Sequence, residues 1–77
     1  MAQRLKRVSG RQLVRLLERL GWRVDRTKGS HRIMRHAKFP RTTLSVPVHG
    51  NQTLPIGTLT EILKDAQVDA EQFNELV

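Results

Sequence analysis

Leu13, Leu16, Leu17 and Leu20 recur at the i, i+3, i+4 and i+7 positions of one helical stripe. Arg11, Arg15 and Arg19 repeat every fourth residue on a different face. Ser9-Gly10-Arg11-Gln12 in front of the stripe has the form of a capping box, and Gly21 behind it suits a left-handed helix end. A first helix is therefore expected between them. Trp22-Arg23-Val24-Asp25-Arg26 alternates apolar and polar, the pattern of a half-buried strand, and Thr27-Lys28-Gly29-Ser30 carries turn chemistry. His31-Arg32-Ile33-Met34-Arg35-His36 reads as a second strand, with its parity left open because Ile33 and Met34 are adjacent. After a connection over residues 37–41, Thr42-Thr43-Leu44-Ser45-Val46 reads as a third strand. Pro47 closes it and suits only a strand end or edge.

Past a polar loop at residues 49–53, Pro55 suits a first helical position, and Leu59, Ile62, Leu63 and Ala66 form the apolar face of a second helix. Asp69-Ala70-Glu71-Gln72 is a second capping box, opening a short terminal helix with Phe73, Leu76 and Val77 available for docking. The expected class is α+β. The order is α-β-β-β-α plus a short C-terminal helix, with a three-stranded antiparallel sheet carrying its helices on one face. Double-stranded-RNA-binding domains share that order and layering, although a fold does not by itself give a function.

At 77 residues the chain has room for one domain, read as residues 1–77, with a thin core. Cysteine is absent, which removes disulfides, thiolate zinc sites and cysteine nucleophiles and fits a reducing, cytoplasmic setting. No apolar run approaches the roughly 20 residues of a membrane span. The segment Met1–Arg7 is basic without an apolar stretch behind it, so it is not read as a signal peptide. The formal net charge is +7, and its distribution is lopsided: residues 1–41 carry +11 and residues 42–77 carry −4. Such a footprint points to a polyanion as partner.

Three stretches stand together in order and spacing. They are Ser9-Gly10-Arg11-Gln12-Leu13-Val14-Arg15-Leu16-Leu17-Glu18 running into Leu20-Gly21-Trp22, then Lys28-Gly29-Ser30-His31, then Val46-Pro47-Val48-His49. The last continues through Gly57-Thr58-Leu59 and Ile62-Leu63-Lys64. Over roughly residues 8–69 the chain resembles HicA-like proteins, the toxin half of HicAB toxin–antitoxin modules. Trp22 stands where an aromatic, more often Phe, is usual in them. The resemblance implies a fold similar to the double-stranded-RNA-binding domain and cleavage of mRNA without ribosomes. It also implies a single catalytic histidine, which falls on His31, and inhibition by a HicB-like antitoxin.

Metal-free cleavage of RNA needs a base for the ribose 2′-OH, an acid for the leaving 5′-oxygen and cations for the phosphate charge. Histidine serves either proton-transfer role near neutral pH. His31 lies between Lys28 and Arg32, with Arg26 and Arg35 close in sequence, and these cations are the candidate RNA-binding groups. Gly29 would let the backbone approach a ligand, and Ser30 would offer a hydroxyl and an amide. From residue pattern alone a lone histidine on a strand is ordinarily a surface polar group, so the catalytic role rests on the resemblance. His36 reads as a strand-end surface residue and His49 as closing a loop. Trp22 reads as core rather than as a base-stacking platform, while the Arg11, Arg15 and Arg19 stripe suits phosphate tracking or a solvated face equally. The three histidines are spaced by 5 and 13 residues and match no zinc pattern, so neither metal nor cofactor is expected. The alternative functions are a non-catalytic RNA-binding module and a protein-interaction domain for an acidic partner. The free chain is expected to be a monomer.

Overall fold

The computed structural model describes residues 4–77; of the basic N-terminal stretch discussed above, residues 1–3 lie outside the described residues. The elements are α1 (Gly10–Arg19), β1 (Arg23–Lys28), β2 (His31–Arg35), β3 (Thr43–Pro47), α2 (Ile56–Asp65) and α3 (Ala70–Leu76). The three strands form one antiparallel sheet in the order β1-β2-β3, so the fold is the expected α+β, double-stranded-RNA-binding-domain-like arrangement. Met34, Leu44 and Val46 project from one sheet face. They join Leu13, Leu16 and Leu17 of α1 and Leu59, Ile62 and Leu63 of α2 in one buried cluster. Phe73 of α3 closes it and is fully buried, whereas Val77 is exposed and takes no part in the docking expected of it.

The helix ends follow local chemistry. The Ser9 hydroxyl accepts from the Gln12 N–H at 3.1 Å and the Gln12 side chain accepts from the Ser9 N–H at 2.8 Å, a complete capping box. Ser9→Ala removes the acceptor from a nearly buried position and is expected to cost about 1 kcal/mol. That corresponds to a loss of roughly 4–8 °C in the melting temperature of a domain this size, read by circular dichroism. Asp69 makes the first half of its box, accepting from the Gln72 N–H at 2.8 Å. Pro55 proves to be the cap of α2 rather than its first residue, and α2 ends at Asp65, capped by Ala66 and followed by Gln67, which adopts a φ of 60° without being glycine.

Residues ahead of α1 also belong to the fold. Val8 is buried and Leu5 packs beside it. Leu54 N–H donates to the Val8 carbonyl, and the Arg7 guanidinium donates to the Leu54 carbonyl. At the far side the Lys6 N–H donates to the Asn74 side chain, tying this segment to α3.

Within the sheet, further sequence expectations change. The first strand was expected over residues 22–26 and half-buried; it spans Arg23–Lys28 and every residue in it is exposed. Trp22 is buried as expected, but it lies just ahead of the strand, and β1 is an edge that the helices leave largely uncovered. The turn accordingly shrinks to Gly29-Ser30. Gly29 has a φ of 60° at the first central position, the requirement of a two-residue type II′ hairpin. The second strand stops at Arg35, and His36 is not a surface residue. Its ring is fixed between Trp22 and Phe39, at centroid distances of 5.1 and 5.0 Å. One ring nitrogen faces the Leu20 carbonyl at 3.0 Å and the other accepts from the Lys38 N–H at 3.0 Å, which makes Nε2 the donor to Leu20.

Candidate functional site

The parity of β2, undecided in the sequence, is set by its two neighbours. Residues paired across antiparallel strands share a face. Met34 pairs with the buried Leu44 and Arg32 with the buried Val46, so these look toward the helices. His31, Ile33 and Arg35 pair with Pro47, Ser45 and Thr43 and occupy the opposite, open face. His31 is exposed there.

On the other side, β1 contains a bulge. Val24 pairs with Met34, but the next pair is Arg26 with Ile33, so Asp25 is an extra residue on the edge strand. Simple alternation would place Arg26 with Trp22 and Val24, toward the helices. The bulge reverses parity beyond it. Arg26 now shares the open face with Ile33, and Lys28 pairs directly with His31. Lys28, His31 and Pro47 therefore form one row across the three strands at the hairpin end of the sheet.

This geometry sorts the residues singled out in the sequence. His31, Lys28 and Arg26 come together on the open face, with Gly29 and Ser30 forming the turn beside them. Arg32 is half-buried and takes the helix-side parity, so it is separated from His31 by the thickness of the sheet. Arg35 shares the face but sits at the far end of β2, about 13 Å away at roughly 3.3 Å per residue. Its Nε lies 3.4 Å from a carboxylate oxygen of Asp25, the bulge residue. Arg23, which the sequence reading passed over, pairs with Arg35 and adds a cation to that end. Its signal was its alternation with the buried Trp22, which puts it on the open face.

The arginine stripe of α1 divides as well. Arg19 donates to the Leu76 carbonyl at 3.4 Å, at the C-terminal end of α3. Arg11 and Arg15 line a polar cleft with Ser9, Gln12, Asn51 and Thr53. Among the described residues, no three His, Cys, Asp or Glu side chains converge as a metal-binding group would, and no helix is long and apolar enough to cross a membrane.

Fold and site together define an α+β domain that buries one sheet face under helices and presents histidine among cations on the other. The family model for the HicA toxin of bacterial toxin–antitoxin systems matches residues 10–68, from the start of α1 to just past α2. The chain belongs to the HicA toxin family. No curated protein matches it.

Proposed function

We propose that this chain is the toxin of a toxin–antitoxin pair and a metal-independent endoribonuclease acting on mRNA, with His31 as a catalytic residue. The observation that carries the reading is the row at the hairpin end of the sheet, where the exposed His31 is the cross-strand neighbour of Lys28 on the open face. In the reaction a base removes the 2′-OH proton, the 2′-oxygen attacks phosphorus and the bond from phosphorus to the 5′-oxygen breaks. The 5′-oxygen takes up a proton, leaving a 2′,3′-cyclic phosphate and a 5′-hydroxyl. His31 performs one of these transfers in this reading. Lys28 and Arg26 hold the phosphate backbone along the open face, and the glycine at position 29 allows the strand to come close to the hairpin. Arg32 and Arg35 contribute to the field rather than to the same contact. Family membership implies a HicB-type antitoxin, and an acidic surface on that partner would cover the basic face. Free, the chain acts as a monomer in the cytoplasm.

Purified protein is expected to cut a mixed mRNA in the presence of chelator. Intact but retarded RNA would leave a binding module of the same fold. The backbone contacts have their own test, made with His31→Ala so that the RNA survives. Adding Lys28→Ala is expected to reduce the slope of log affinity against log salt by about 0.7, the share of one phosphate contact on a single strand. Lys64→Ala, on α2 and away from the sheet, is expected to leave the slope unchanged. Equal slopes for both variants would remove Lys28 from the interface.

A further inference from the structure

A single imidazole leaves one of the two proton transfers without a group to perform it, and the ladder between β2 and β3 supplies a candidate. Its register continues one step beyond the His31–Pro47 pair, because the Val48 N–H donates to the Ser30 carbonyl at 2.7 Å. The next residue, His49, follows directly at the hairpin end of the sheet. It is exposed, and its carbonyl accepts from the Gln52 N–H at 3.0 Å in the turn that leaves the sheet. The alternation of β3, carried two residues past Pro47, gives His49 the side that Pro47 shares with His31. Diagonal neighbours of this kind stand about 7–8 Å apart at Cα, within reach of two aromatic side chains.

We propose that His49 is the second proton-transfer group, so that His31 and His49 flank the scissile phosphate with Lys28 beside it. This rests on the ribonuclease reading above. One imidazole, neutral, takes the proton of the 2′-OH as the 2′-oxygen bonds to phosphorus. The other, protonated, gives its proton to the 5′-oxygen as the bond from phosphorus to that oxygen breaks. The enzyme ends with the two protonation states exchanged, and water restores them between turnovers.

The test compares wild type, His31→Ala and His49→Ala on two substrates of one sequence. One is ordinary RNA; the other carries sulfur in place of the bridging 5′-oxygen at the cleavage site. A thiolate departs without a proton, so the sulfur substrate does not need the acid. On ordinary RNA, His49→Ala is expected to lose about 10²–10⁴-fold in rate, as His31→Ala does. On the sulfur substrate one of the two variants, and not the other, is expected to recover to within about tenfold of wild type. His49→Ala matching wild type on ordinary RNA would overturn the assignment. So would a defect that sulfur relieves in neither variant, since His49 would then be acting on the loop and not on a proton. Wild type leaving both substrates intact would instead remove the ribonuclease reading itself.

Discussion

His31→Ala is expected to lower RNA cleavage by about 10²–10⁴-fold while leaving the protein folded, and to abolish its toxicity in cells. Under the proposed mechanism the functional loss follows from removing a group that moves a proton. The structural tolerance follows from position. His31 is exposed on the open face, and its partners across the sheet, Lys28 and Pro47, are held by backbone register, not by its ring. A surface change of this sort moves stability by about 0.5 kcal/mol or less. Binding is expected to survive, because Lys28 and Arg26 remain. His36→Ala is the counterpart. That ring makes two hydrogen bonds and packs on Trp22 and Phe39, so its loss is expected to cost about 1–3 kcal/mol. Molecules of His36→Ala that remain folded are expected to cleave normally. Cleavage assays and thermal melts on the two variants separate catalysis from packing. A well-folded His31→Ala that cuts RNA at the wild-type rate would sink the catalytic assignment.

Gly10→Ala is expected to be the most destabilising of the glycine changes, at about 3 kcal/mol or more. A Cβ at Gly10 would overlap the Pro47 carbonyl oxygen and stand 2.9 Å from its carbonyl carbon and 3.2 Å from the Val48 Cα. All three are backbone atoms, so no side chain can turn away. Overpacking commonly costs about 1–3 kcal/mol even where side chains can adjust, and here β3 or α1 must move. Against a total stability of roughly 4–12 kcal/mol for a chain of this length, the loss is large. It corresponds to a melting temperature lower by about 12–24 °C. Gly57→Ala is the control. Nothing lies within 4 Å of a Cβ there, and alanine in a helix is expected to add up to about 1 kcal/mol. Melts that rank the two variants equally would contradict the close seating of α1 on β3. The same seat bears on the site, because Pro47 is the residue paired with His31.

Much of the fold was legible because it is local. A capping serine, leucines at helical spacing and a glycine after them specify α1 through interactions within about a dozen residues; Leu13, Leu16 and Leu17 of α1 and Leu59, Ile62 and Leu63 of α2 are buried as the periodicity named, while Leu20, at the cap, is only partly so. The strand–turn–strand order was equally plain. The candidate site was legible less evenly. His31 and Lys28 were singled out together and stand together. Arg32 and Arg35 were grouped with them by closeness in sequence, which a strand does not respect, since neighbours along it face opposite ways and its ends lie far apart.

The sequence by itself determined the α-β-β-β-α order, the Ser9 and Asp69 caps, the buried leucines and the excess of positive charge in the first 41 residues, each encoded in spacing and composition. The tertiary structure alone decided which face carries His31, because that depends on which side of β2 the helices cover. It decided that an extra residue at Asp25 turns Arg26 and Lys28 to that same face, which no alternation pattern reveals. It also decided that His36 is locked under Trp22 while His49, 18 residues from His31 in the chain, returns to the hairpin end of the sheet. Register between strands is a long-range property. It is fixed by which packing buries Met34, Leu44 and Val46 together, and a sequence read in local windows does not contain that choice.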